Sequence, residues 1–175
     1  VLFPAFSRIA EDASRLQGAF LRSLRWVCAL SFPTGLLMIP LGIPLAVIIF
    51  GETWREAGEA LVAMCLLPAG GMLGSVVSEA LKAIGQPRYL TRMHVLTAGV
   101  TAGLVVALQP FGLTAASAAI SAGAAAGGVY ALVLMHRVAG TPMRAMLAEV
   151  WPPALAGCLA AAALLPVEAI VDAES

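Results

Sequence analysis

Charge is scarce in this chain: ten Lys and Arg, ten Asp and Glu and two His stand among 175 residues, so that 11% are formally charged. A water-soluble domain carries about 25%, because its surface has to face water. The deficit excludes an ordinary soluble domain and leaves most of the surface to lipid. Net charge is zero, which offers a phosphate backbone no excess of cations, so no nucleic-acid partner is expected. Catalytic signatures are missing as well. There is no HExxH, no GxSxG, no P-loop and no pair of aspartate-rich motifs of the kind that holds magnesium on a prenyl diphosphate. An enzyme has little to work with here, and neither a cofactor nor a metal is expected. Cys28, Cys65 and Cys158 each fall in an apolar run without metal-ligand spacing, and read as small hydrophobes rather than as a disulfide framework. No short apolar run precedes a small-residue cleavage site at the N-terminus, so no signal peptide is read there.

What the chain has in abundance is apolar residues, 61% of the total, with a mean hydropathy of +0.94. Residues 26–50 (WVCALSFPTGLLMIPLGIPLAVIIF) carry no formal charge. At ~1.5 Å rise per residue this run extends roughly 37 Å, enough to cross a ~30 Å hydrocarbon core with some tilt. Pro33, Pro40 and Pro44 each remove a backbone donor, so the span is expected to bend. A second span is expected over 60–81, interrupted by Pro68 and Gly70-Gly71, a third over 89–108 and a fourth over 113–135. The turn Gln109-Pro110-Phe111-Gly112 divides the last two. A fifth, over 150–167, opens on Trp151-Pro152-Pro153.

Ahead of the first span, residues 8–25 have helical periodicity. Ile9, Leu16, Phe20, Leu24 and Val27 share one face, and Arg8, Asp12, Arg15 and Arg22 gather toward another. Such a helix beside a span is expected to lie in the headgroup plane, or to serve as a solvated linker. Residues 1–7 read like the end of an earlier helix, so the chain reads as a fragment of a longer protein. The expected fold is all-α: a polytopic transmembrane bundle of about five spans plus this short interfacial amphipathic helix, forming a single transmembrane domain over 1–175.

Charge placement supports the count. If five spans alternate, Arg8, Arg15, Arg22, Arg25, Lys82, Arg88, Arg92, Arg137 and Arg144 fall on one side and Arg55 alone on the other. Glu52, Glu56, Glu59, Glu168, Asp172 and Glu174 fall opposite the cations. The positive-inside rule demands such a bias, and one missed span would scramble it. Gly70/Gly74, Gly99/Gly103 and Gly123/Gly127 are three small-xxx-small pairs on successive spans, which favour close helix packing. Ser75, Ser78, Thr97, Thr101, Ser117 and Ser121 are read chiefly as bonding locally to their own helices.

The ionisable residues nearest membrane depth are Arg25, Glu79, Lys82 and His94, and these are the candidates for binding a substrate or an ion. Glu79 lies three residues from Lys82, so an ion pair reaching toward the headgroups is the blander reading of both. His94, two residues past Arg92, is either a proton-coupling group or a packed interfacial side chain.

Several turns resemble those of polysaccharide and oligosaccharide flippases of the multidrug/oligosaccharidyl-lipid/polysaccharide (MOP) exporter superfamily. They are Val1–Arg8 (VLFPAFSR), the Arg/Asp helix that follows, Pro33, Phe50-Gly51-Glu52-Thr53-Trp54 leading to Ala57, residues 81–88 (LKAIGQPR) and residues 110–115 (PFGLTA). The resemblance implies the second lobe of a twelve- to fourteen-helix transporter, from the end of the eighth helix to about the thirteenth. The first lobe of the same polypeptide would be its partner. It also implies a multi-pass protein of the bacterial inner membrane. Its implied work is flipping a lipid-linked oligosaccharide, typically on undecaprenyl diphosphate, by alternating access, for polysaccharide or lipopolysaccharide export. Membrane lipid, and a polysaccharide polymerase or glycosyltransferases, are the implied further partners. Cavities in that family use scattered basic side chains, and no local motif carries one of them onto a position here. Two alternatives stand beside this reading: a drug/cation antiporter of the same superfamily, and a non-transporting scaffold subunit of an envelope polysaccharide synthesis complex.

Overall fold

The computed structural model describes residues 13–174, and side chains over 14–165. The expected helix end at 1–7, with Arg8, Ile9 and Asp12, lies outside the described residues, as do the side chains of Glu168, Asp172 and Glu174. Among the described residues the elements are all helical. They are α1 (Ala13–Leu36), α2 (Met38–Phe50), α3 (Arg55–Ala63), α4 (Leu67–Ala83), α5 (Pro87–Leu108), α6 (Leu113–Ala139) and α7 (Met143–Glu174), with short 3-10 turns at Glu52–Trp54 and Gln109–Phe111. Residues 87–111, 113–139 and 143–165 are each long and apolar enough to cross a membrane. Two bent pairs, α1 with α2 and α3 with α4, bring the number to five if each pair is one span.

Both bends follow from the sequence. α1 and α2 meet at 58° around Leu37. The Leu37 N–H still donates to Pro33 O (2.9 Å) and that of Leu41 to Leu37 O (3.1 Å). Pro40 has no N–H for the carbonyl of Leu36, and its ring crowds that carbonyl, so the axis turns there. α3 and α4 meet at 44° across residues 64–66. Pro68 then stands in the first turn of α4, where no donor is missed. The Leu66 N–H donates to Ser121 Oγ of α6 (3.1 Å), so the second bend is held by a neighbouring span.

Contacts between named residues fix the direction of four packed pairs. α1 and α7 run parallel at an almost constant offset. Gln17 Nε2 donates to Ala139 O just before α7, Arg25 pairs with Glu149, and Gly157 lies on Pro33 and Leu36. α4 and α6 are parallel too, with Leu66 on Ser121, Gly70 on Ala124 and Leu73 on Gly128. α5 and α6 are antiparallel, Gly123 meeting Thr101 and Gly127 meeting Thr97. Gly42 lies on Gly58 and Val62 as α3 turns back along α2. Spans one and five thus share a direction, spans two and four share the other, and span three reverses span four. That is the alternation the charge pattern requires.

The main core sits at one end of the bundle. Leu16, Phe20, Leu24 and Cys28 of α1 pack with Leu73, Val77 and Leu81 of α4, Met93 of α5, Met135 of α6 and Met146 of α7. Fully burying a side chain of this size is worth roughly 1.5–3 kcal/mol relative to exposure in water, and less where the alternative is lipid. At this end lie the start of α1, the α4–α5 turn and the α6–α7 turn. Arg15, Arg22, Arg25, Lys82, Arg88, Arg92, Arg137 and Arg144 stand there, and Arg55 stands at the other, beside Glu52.

One expectation changes form. The amphipathic stretch before the first span is no separate helix on the headgroups within the described residues. α1 runs unbroken from Ala13 to Leu36, and the stripe Leu16–Phe20–Leu24 is buried in the core where α1 packs on α4 and α7, rather than against lipid. Periodicity announced the stripe correctly but could not say what would cover it.

Candidate functional site

α4 and α5 each pack extensively on α6 but touch one another little. The gap between them, floored by α6, is an open cleft of about 390 Å³. The turn Ile84–Gln86, with Gly85 at φ +69°, reverses the chain tightly enough that His94 on α5 returns to the level of Glu79 and Lys82 on α4. Three of the four candidate residues therefore line one cleft, together with Ser75, Ser78, Met93 and Thr97 and a wall of Gly70, Gly71, Gly74 and Gly127. Gly71 and Gly74 leave open space where a side chain would stand, while Gly70 and Gly127 lie pressed against Ala124 and Thr97.

Lys82 Nζ donates to Glu79 Oε1 at 2.7 Å, the expected i,i+3 pair. Both side chains remain partly exposed, 42% for Lys82 and 27% for Glu79, so the pair is worth little as a staple. An ammonium carries three N–H groups, and the two not directed at Glu79 are available to an anionic oxygen. The buried Ser78 Oγ donates to Gly74 O (2.7 Å) and the exposed Thr34 Oγ1 to Leu30 O (2.7 Å), the local bonding anticipated for such residues. Ser121 departs from that pattern, accepting from Leu66 across fifty-five residues. The cleft thus offers one ammonium, one carboxylate, one imidazole and several hydroxyls over an apolar floor. That set can hold an anionic or polyhydroxyl group. Among the described residues no group of three or more His, Cys, Asp or Glu converges to bind a metal.

Arg25 stands apart, on the seam between α1 and α7. Its Nε donates to Glu149 Oε2 (2.5 Å) and its Nη2 to Glu149 Oε1 (2.9 Å), a two-pronged fork. Glu149 escaped the sequence reading. It lies 124 positions from its partner, and only the parallel register of the first and last spans joins them. Cys28, Cys65 and Cys158 are all free thiols.

A family model described as "Polysaccharide biosynthesis protein" matches residues 1–59, which cover α1, α2 and the start of α3 within the described part. Over 83 residues the chain is 30% identical to a Klebsiella pneumoniae protein named "Uncharacterized membrane protein in cps region", covering 47% of this chain and 17% of that protein. Over 76 residues it is 33% identical to the "Lipopolysaccharide biosynthesis protein WzxC" of Escherichia coli (strain K12), covering 43% of this chain and 15% of that one. The matched segment spans less than a fifth of either relative. No solved structure matches the chain. With the apolar, alternating helices described above, these matches make the chain a multi-pass bacterial membrane protein related, through its N-terminal third, to the polysaccharide biosynthesis proteins.

Proposed function

We propose that this chain is the second-lobe part of a transporter that flips an undecaprenyl-diphosphate-linked oligosaccharide across the bacterial inner membrane by alternating access. The cation-bearing end of the bundle lies in the cytoplasm, and no covalent chemistry is performed. The observation that carries this reading is the cleft that brings Lys82, His94 and the hydroxyls of Ser75 and Thr97 together at the cation-bearing end. That is the depth at which a diphosphate headgroup is collected. A phosphate oxygen takes N–H from Lys82 and from His94, and sugar hydroxyls find acceptors and donors on Glu79, Ser75 and Thr97. The open side of the cleft, between α4 and α5, is where a first lobe would close it. An antiporter coupled through a buried mid-span acid is less well served, because Glu79 sits at the cation-bearing end and is already paired with Lys82.

The test is a deletion of the gene, complemented with the wild type, Lys82→Gln or His94→Ala, with lipid-linked repeat units assayed on each leaflet. Repeat units stranded on the inner leaflet in the deletion, and in Lys82→Gln at wild-type protein level, are expected. Normal translocation with mislocalised synthesis enzymes would overturn the proposal and identify a scaffold.

A further inference from the structure

The seam between α1 and α7 contains a second groove, of about 480 Å³, built differently from the cleft. Three of its lining residues are prolines: Pro33 on α1, Pro152 and Pro153 on α7. A proline in a helix has no N–H for the carbonyl four residues earlier. The carbonyls so deprived belong to Ala29, Ala148 and Glu149, and all three residues line the same groove. In each case the proline and the residue it deprives are i,i+4 neighbours on one helix face. Three residues whose carbonyls lack their helical donors thus line one groove together with the Glu149 side chain. Arg25 adds the opposite character. Its fork to Glu149 uses two of five guanidinium N–H groups, and its side chain is 64% exposed, so three donors remain for an anion.

The depth of the groove is set by two tryptophans. The register of α1 against α7 puts residue 26 level with residue 150. Trp26 and Trp151, one and two residues past Arg25 and Glu149, are 76% and 57% exposed. Exposed Trp toward the cation-bearing ends of two parallel spans, close after Arg22, Arg25 and Arg144, marks the headgroup layer. At that depth the groove meets lipid headgroups.

We propose that this groove is a binding site for a phospholipid with a primary-ammonium zwitterionic headgroup, that is, an ethanolamine phospholipid. Arg25 holds the phosphate, and the ammonium donates to Glu149 and to the carbonyls released by Pro152, Pro153 and Pro33. The donor count matches: three N–H groups on the ammonium against a cluster of carboxylate and carbonyl oxygens. A choline headgroup carries the same charge but has no N–H to give, and a glycerol headgroup has the phosphate but no cation. The site is separate from the cleft on α4–α6 and stands whether or not that cleft carries substrate.

The whole protein, in nanodiscs of phosphatidylethanolamine, phosphatidylcholine or phosphatidylglycerol, is released into the gas phase and its retained lipids are counted by native mass spectrometry. One phosphatidylethanolamine is expected to survive on the wild type at about tenfold higher occupancy than either competitor, since it alone makes the charge-assisted N–H bonds. Glu149→Gln is expected to bring it down to the phosphatidylcholine level. Pro153→Ala, which returns a donor to the Glu149 carbonyl without removing a charge, is expected to weaken it several-fold. Equal retention of the three lipids by the wild type overturns the proposal without any variant. So does preferential retention of phosphatidylglycerol, or a phosphatidylethanolamine count unchanged in both variants.

Discussion

The Cα of Gly35 on α1 faces the backbone carbonyl of Cys65, so closely that a methyl group at residue 35 would overlap the carbonyl oxygen. The contact joins the two bent elements beside their breaks, Leu37 on one and residues 64–66 on the other. Neither side of it is a flexible side chain end, so nothing nearby can swing away.

Replacing Gly35 by Ala is therefore expected to cost about 1–3 kcal/mol or more, the range for overpacking, and to lower the midpoint of thermal unfolding in detergent. Gly70→Ala, which meets the backbone of Ala124, is expected to behave alike. Gly74→Ala, Gly99→Ala and Gly103→Ala meet open space and are expected to leave the midpoint unchanged or to raise it. Equal effects at all five positions would mean that the crossing points are elsewhere.

Ser121→Ala removes the acceptor of the Leu66 amide at the second break. Interhelical hydrogen bonds in membranes are worth about 0.6 kcal/mol on average and about 1.7 at most, so the loss in stability is expected to be small. The sharper readout is local. Amide exchange at Leu66 is expected to accelerate in Ser121→Ala, while amides in the middle of α4 keep the wild-type rate.

The parallel and antiparallel pairings place Gln86 and Arg144 at one end of the bundle and Glu56 at the other. Single cysteines at these positions, treated with a membrane-impermeant maleimide in oriented vesicles, are expected to label from one side for residues 86 and 144 and from the opposite side for residue 56. Labelling of 86 and 144 from opposite sides would break the alternation.

Pro40→Ala restores an N–H for the Leu36 carbonyl. Spin labels at the exposed positions 22 and 48, on α1 and α2, are expected to move apart as the 58° bend relaxes. An unchanged distance would show that packing of α2 on α3, rather than the ring, sets the angle.

Much of this architecture is legible in the chain because lipid makes it so. Uncharged runs have to be helices, and the bias of Arg and Lys to one end gives each a direction. Prolines 33, 40 and 44 announced the first bend, and Pro68 the neighbourhood of the second. Glu79, Lys82 and His94 were each legible as ionisable groups near membrane depth, but that the turn at 84–86 gathers them into one cleft was not. What escaped depends on partners far along the chain. Gly123 and Gly127 pack on threonines rather than on glycines, while Gly99 and Gly103 face outward, and no local rule says which small pair finds a neighbour. The fork between Arg25 and Glu149 needed the register of two helices to be known. Leu16, Phe20 and Leu24 look alike whether lipid or protein covers them.

The bulkiest fully buried side chains, among them Phe20, Leu24, Leu81, Met135 and Met146, crowd toward the end that carries the cations. Toward the acidic hairpin the buried residues dwindle to Ala46, Gly58, Ala60, Ser117 and Ala119. A body pinned at one end by large interlocking groups and at the other by small ones is expected to yield to amide exchange first near Glu52 and last among Phe20, Leu81 and Met135.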